Sequence, residues 1–147
     1  MSIAERSAQT VWQGALASGA GTLSGSSGAL DGQAVTWASR TEAPGGKTSP
    51  EELAAAAHSS CFSMALALTL GQHKAQPERL TVASTVTLDE VDGLPTIVSS
   101  ALTVDGAVPG ITAEQFQEYV DEAAKLCPVS RLFAGANITV EATFSAS

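Results

Sequence analysis

Alternation of apolar and polar residues dominates the first forty positions of the chain. Such alternation is typical of strands that bury one face, so an N-terminal antiparallel meander is predicted. Its strands are expected at 11–17, 21–23 and 33–38. A run of Pro and Gly residues then breaks the pattern and predicts a loop over 41–48, with Arg40 at the point where strand gives way to loop.

A strong helix start follows this loop. Ser49 can cap, Pro50 suits the first helical position, and Glu52 completes a capping box. We expect a helix from Pro50 to about Leu70. Its body is apolar nearly all the way round but is interrupted by polar residues, which predicts a central buried helix and not a membrane span.

Two further alternating runs, 79–90 and 95–104, flank an Asp92-Gly93 pair that predicts a tight hairpin turn. A last alternating run, 137–144, closes the chain. Strands and helices without a regular βαβ repeat indicate an α+β fold. At 147 residues the chain is expected to form a single domain, residues 1–147.

A second helix is predicted between these strands, because Thr112 and Gln115 form another capping box and Pro128 stops the pattern. Cys127 falls at its end, on the face predicted to point inward. The residues that share this face at helical spacing are Phe116, Val120, Ala124 and Cys127.

Composition and charge narrow the classes of function. The net charge is -8, without a basic cluster, so nucleic acid is not an expected partner. The N-terminus lacks the pattern of a signal peptide, and a cytoplasmic protein without a membrane partner is predicted. In the cytoplasm, two cysteines favour redox chemistry over a structural disulfide, although inert core thiols stay an alternative.

Four segments of the chain closely resemble the signature of the OsmC family of osmotically inducible peroxidases, which are related to the organic hydroperoxide resistance proteins. Three lie in the predicted central helix and one follows the second helix. They are 49–53 (SPEEL), 56–58 (AAH), 61–66 (CFSMAL) and 127–130 (CPVS).

The resemblance implies an OsmC-like fold, with antiparallel sheets around a long central helix in an intertwined homodimer. It also implies a thiol-dependent peroxidase that reduces organic hydroperoxides and takes part in osmotic or oxidative stress responses. By resemblance, Cys61 is the peroxidatic cysteine and Cys127 the resolving one, and Arg40 and Glu51 complete the catalytic residues. The electron donor would be a dithiol, which in related hydroperoxide resistance proteins is a lipoyl-bearing protein.

These residue types suit the reaction. An ordinary thiol is mostly protonated at neutral pH, and a neighbouring Arg40 would favour the thiolate, with Glu51 orienting the guanidinium. Glu51 and Cys61 are ten positions apart, about 15 Å along a regular helix. Either the first turn breaks away from the helix, or Arg40 and Glu51 act on the Cys61 of a second subunit, and the shared site is the preferred interpretation. The chain has no cofactor motif.

Two other functions stay open at this point. His58 precedes Cys61 by three positions, so a Cys-His pair for acyl transfer could form, although a partly exposed His58 is the preferred interpretation. A small-molecule or lipid-binding module with buried structural cysteines is the non-enzymatic alternative. A zinc site is not favoured, because the spacing of the Cys and His residues matches no usual pattern. The candidates for an apolar pocket wall are Phe62, Met64, Phe116 and Phe133.

Overall fold

The predicted N-terminal meander is a three-stranded antiparallel sheet. It comprises β1 (Ala8–Gln13), β2 (Ala20–Gly25) and β3 (Ala34–Val35), in that order across the sheet.

The computed structural model describes residues 1–146, and the chain divides into two compact units, Met1–Leu53 and Ala54–Ser147. That the two units make one domain stays a prediction.

The strand predicted over 33–38 is wrong in its second half. After the two residues of β3, a short helix, α1 (Trp37–Thr41), begins. The cause is a capping box: the Ser39 N–H donates to Thr36 Oγ1 at 3.0 Å, and the Thr36 N–H donates to Ser39 Oγ at 2.9 Å. Arg40 therefore lies in a helix and not at the end of a strand.

The long helix α2 (Pro50–Gln72) begins where the sequence predicted. Ser49 Oγ accepts a hydrogen bond from the Glu52 N–H at 3.1 Å. The Glu52 carboxylate does not complete the expected box, because it accepts instead from Thr48 Oγ1 at 2.6 Å. The first turn is thus fixed by two neighbouring hydroxyl groups.

Within the single chain, α2 buries one face in the core and leaves the opposite face open. The side chains of Met64 and Leu68 are 73% and 59% exposed. By length and mean hydropathy α2 could cross a membrane, but core helices of soluble proteins have the same properties. The buried face assigns it to the core: His58, Phe62, Ala65, Leu66, Thr69 and Leu70.

A second three-stranded sheet lies in the C-terminal unit, in the order β4 (Arg79–Val91), β5 (Leu94–Ala107) and β6 (Asn137–Ser145). The predicted hairpin turn is present, and Asp92 and Gly93 both have positive φ, at 51° and 77°. The β5–β6 pair is parallel, whereas only antiparallel sheets were expected. The reason is the connection, which crosses over through two helices before β6 begins.

These connecting helices are α3 (Ala113–Leu126) and α4 (Pro128–Leu132). The predicted capping box opens α3: the Gln115 N–H donates to Thr112 Oγ1, and the Thr112 N–H donates to Gln115 Oε1. The inner faces of α2, α3 and β5 form the core of the C-terminal unit, with Phe62, Leu102 and Phe116 at its centre. The α+β class is confirmed.

Gly106 in β5 lets α3 approach the sheet closely. A Cβ at this position would lie 2.5 Å from the ring of Phe116. We expect Gly106→Ala to lower the free energy of unfolding by about 1–3 kcal/mol, because the ring must move within a packed core. Gly71→Ala is the control, since its Cβ would meet nothing within 4 Å, and urea unfolding of both variants measures the difference. Equal stability would contradict the close packing.

Candidate active site

The two cysteine thiols meet within the C-terminal unit. Cys61 is half-buried on α2, and Cys127, which has no exposed surface, lies between α3 and α4. The Cys61 thiol lies beside the Cys127 thiol and the backbone N–H of Val129, close enough for both groups to shift its pKa. Both cysteines are free thiols, so the pair is in its reduced form. A reversible disulfide requires two thiols that the fold places near each other, and these two cysteines are neighbours.

The electrostatic surroundings of this pair favour the protonated thiol. Burial raises the pKa of Cys61, the neighbouring Cys127 raises it further, and the Val129 N–H partly opposes both by lowering it. These causes all lie in the C-terminal unit. A reactive thiolate at Cys61 therefore requires a positive charge in addition to these groups.

A strong ion pair lies in the N-terminal unit. Arg40 Nη2 is 2.7 Å from Glu51 Oε1, and Arg40 Nε donates to the two carboxylate oxygens at 3.0 and 3.1 Å. This fork-shaped geometry fixes the plane of the guanidinium. The arginine side chain keeps 30% of its surface exposed, against 12% for the glutamate, so one edge of the guanidinium is available to another group.

An apolar pocket of about 380 Å³ adjoins Arg40 in the same unit. The side chains of Trp12 and Trp37 form part of its wall, together with Leu16 and Leu53. Its size and composition suit a small organic group near a single charged residue. No local pattern in the sequence predicts this pocket, because its residues come from separate strands, α1 and the start of α2.

The aromatic residues suggested as a pocket wall lie elsewhere. Phe62 and Phe116 are core residues with 0% and 1% of their surface exposed, and Met64 is 73% exposed. Phe133 borders a different pocket of about 240 Å³ in the C-terminal unit, next to Ser100. None of the four lines the pocket beside Arg40.

His58 is fully buried, so the prediction of a partly exposed side chain is wrong. Its Nδ1 lies 2.6 Å from Ser100 Oγ, and its Nε2 lies 2.8 Å from Ser130 Oγ. Ser84 Oγ lies 2.9 Å from Ser100 Oγ and so extends this hydrogen-bond network. Since each ring nitrogen has a serine partner, neither is left to activate Cys61, which argues against the acyl-transfer alternative. Its spacing of four from Phe62, on the buried face of α2, was the signal in the sequence.

Comparison with known proteins identifies the class. The family model described as OsmC-like protein matches residues 43–143. Peroxiredoxin OsmC of Escherichia coli is 41% identical over 133 residues, which cover 90% of this chain and 92% of that protein. An organic hydroperoxide resistance protein-like sequence of Staphylococcus aureus is 33% identical over 104 residues, or 70% and 73% of the two chains.

Solved structures agree with these sequence matches. An organic hydroperoxide resistance protein from Elizabethkingia anophelis has a TM-score of 0.75 and 26% identity, with 99% of each chain covered. The organic hydroperoxide resistance protein OhrB of Bacillus subtilis has a TM-score of 0.71 and 27% identity, covering 95% of this chain and 98% of its own. The chain belongs to the OsmC-like protein family. The predicted OsmC-like fold of the single chain and the predicted class, a thiol peroxidase, are confirmed by these relatives, and the intertwined homodimer stays a prediction.

Burial lowers the pKa of His58 from its ordinary value of 6.5. Well above pH 6.5 the imidazole is neutral in both the folded and the unfolded chain. His58 therefore adds no pH dependence to the free energy of unfolding in that range. Below it the unfolded chain binds a proton that the folded chain does not, and we expect the free energy of unfolding to fall by up to about 1.4 kcal/mol per pH unit. Urea unfolding at a series of pH values measures this fall.

The control for this prediction is His58→Gln, which keeps a donor and an acceptor but does not titrate in this range. Carboxylates titrate in both proteins, so the difference between the two pH profiles isolates His58. Parallel profiles would show that the imidazole is not kept neutral by the fold.

Proposed function

We propose that this chain reduces organic hydroperoxides to alcohols, with Cys61 as the attacking thiol and Cys127 as the resolving thiol. The observation that carries the proposal is the contact between the half-buried thiol of Cys61 and the fully buried thiol of Cys127. A partly accessible thiol can meet a peroxide, while a buried one is protected from direct oxidation. The names of the Escherichia coli and Bacillus subtilis relatives support the substrate class.

The reaction has two thiol steps. The Cys61 thiolate attacks one peroxide oxygen, the O–O bond breaks, and the alkoxide leaves and takes up a proton to become the alcohol. Cys61 is then a sulfenic acid. The Cys127 thiol attacks its sulfur, a disulfide forms, and the hydroxyl leaves as water. A dithiol reductant then reopens the disulfide by thiol exchange, and a lipoyl-bearing protein is the donor that we propose.

Arg40 is the proposed source of the positive charge that Cys61 needs. Its guanidinium would stabilise the thiolate and hydrogen-bond the peroxide oxygen that gains negative charge. Glu51 fixes the orientation of this guanidinium through its fork-shaped pair. The pocket beside Arg40, with Trp12 and Trp37 in its wall, would hold the organic part of the hydroperoxide.

We further propose that the active site is shared between two copies of this chain in a cytoplasmic homodimer. The exposed apolar face of α2, with Met64 at 73% and Leu68 at 59% exposure, supports a second copy as its cover. A large apolar face left open to water favours association. Arg40 and Glu51 of one subunit would then act on the Cys61 of the other.

Replacing each of the two cysteines should impair a different step of the reaction. Cys61→Ser is expected to abolish the consumption of cumene hydroperoxide with a dithiol reductant, because the hydroxyl is a far weaker nucleophile than a thiolate. Cys127→Ser is expected to react once and then recycle poorly or over-oxidise, because its sulfenic acid has no internal thiol partner. Peroxide consumption and intact mass measure the two outcomes.

Wild-type protein with the thiols blocked by an alkylating reagent is the control. Full turnover in Cys61→Ser, or an inactive wild type, would contradict the peroxidase mechanism. In that case, slow alkylation of both native thiols would favour the small-molecule or lipid-binding module.

Complementation tests whether the site is shared. Arg40→Met should lower kcat/KM by about 100-fold, because a charged donor is lost where negative charge develops. The two inactive chains, Arg40→Met and Cys61→Ser, are produced together with different affinity tags, and the mixed dimer is purified. If the site is shared, one of its two sites holds both wild-type residues, and about half of the wild-type activity returns.

The control is each doubly tagged parent dimer, Arg40→Met or Cys61→Ser alone, which should stay inactive. An inactive mixed dimer would place Arg40 and Cys61 of the same chain in one site. A monomer in solution would exclude a shared site altogether.

A further inference from the structure

The buried histidine network joins the same two segments that carry the cysteines. His58 precedes Cys61 by three positions on α2, and Ser130 follows Cys127 by three positions on α4. The 2.8 Å contact between His58 Nε2 and Ser130 Oγ therefore spans the same pair of elements as the thiol contact, one helical turn away on each side. Nothing in the two-thiol chemistry itself uses this imidazole.

The segment after Cys127 is short and lies partly at the surface. Helix α4 has five residues, and Ser130 is its one buried residue. Leu132 is 77% exposed, and Arg131 is also exposed. Val129 packs against the core and Phe133 lies edge-on to the His58 ring, so the buried bond to Ser130 fixes α4 together with these contacts.

The other end of the network fixes His58 to the sheet. Ser100 in β5 is 1% exposed and lies 2.6 Å from His58 Nδ1, and Ser84 in β4 lies 2.9 Å from Ser100. A neutral imidazole needs one donor and one acceptor, and a serine hydroxyl can serve as either. Among residues 1–146, no buried side-chain nitrogen or oxygen is without a partner, so the network is fully satisfied and rigid.

We propose that the His58–Ser130 hydrogen bond is a positioning device that holds Cys127 against Cys61 once Cys61 has been oxidised. This inference rests on the proposed function. The sulfenic acid at Cys61 has two fates: attack by the Cys127 thiol gives a disulfide and water, and oxidation by a second hydroperoxide gives a sulfinic acid and an alcohol. His58 and Ser130 favour the first fate by keeping the resolving thiol within reach.

Two serine variants test this role against a merely structural one. Ser130→Ala and Ser100→Ala each remove one hydroxyl from His58, but only Ser130 lies on the segment of Cys127. Full-length reduced protein is freed of reductant and exposed to cumene hydroperoxide, and mass spectrometry measures the fractions of disulfide and sulfinic acid at Cys61. Rapid-mixing kinetics measure the first oxidation of Cys61, and urea unfolding measures stability.

Ser130→Ala is expected to raise the ratio of sulfinic acid to disulfide about tenfold or more, because a small displacement of a reacting group strongly slows its reaction. Ser100→Ala should raise the ratio far less, because His58 keeps its bond to Ser130, and the first oxidation step should be unchanged in both. Equal ratios in the two serine variants, or a wild-type ratio in Ser130→Ala, would overturn the proposal. A wild type whose Cys61 is not oxidised at all would instead overturn the proposed function.

A second pair of variants covers the case in which Ser130→Ala does not fold. The amide of Gln reaches the place of Nε2, whereas that of Asn reaches the place of Nδ1. His58→Gln therefore keeps the bond to Ser130 and is expected to resist over-oxidation. His58→Asn keeps only the bond to Ser100 and should over-oxidise, and the reverse order would refute the positioning role.

Discussion

The contact between the thiols of Cys61 and Cys127 is the constraint on which the site depends. The two residues are brought together by the packing of α2 against the segment between α3 and α4. A disulfide forms only when its two Cα atoms lie within about 7 Å of each other, so this packing has to keep the two segments close. A core of close-packed Phe, Leu and Val side chains from α2, α3 and β5 meets that requirement, with Phe62 and Phe116 at its centre.

Burial also opposes the ionisation of Cys61, and the thiol pair by itself does not offset this effect. The apolar surroundings that hold Cys61 and Cys127 raise the pKa of Cys61, and the Val129 N–H opposes this only in part. In the proposed mechanism the missing positive charge comes from Arg40, whose orientation is fixed by Glu51. Under that proposal, the C-terminal unit holds the two thiols together, and Arg40 of a second subunit would supply the positive charge.

Much of the fold could be read from local patterns. The start of α2 at Ser49 and Pro50, the Asp92-Gly93 turn and the Thr112-Gln115 box are properties of a few adjacent residues, and all are present. One error was also local. The alternation over 33–38 predicts one strand, but the side chains of Thr36 and Ser39, three positions apart, cap a helix there.

The sequence by itself determined the α+β class, the family and the order of the elements. Hydrophobic periodicity, capping residues and family motifs are patterns of neighbouring residues, so they can be recognised in the sequence alone. Only the tertiary structure decided that α2 buries one face, that β5 and β6 run parallel, and that His58 joins Ser100 to Ser130. The hydrogen-bond partners of His58 lie 42 and 72 positions away. No local pattern records such pairs, since they exist only after the elements have packed.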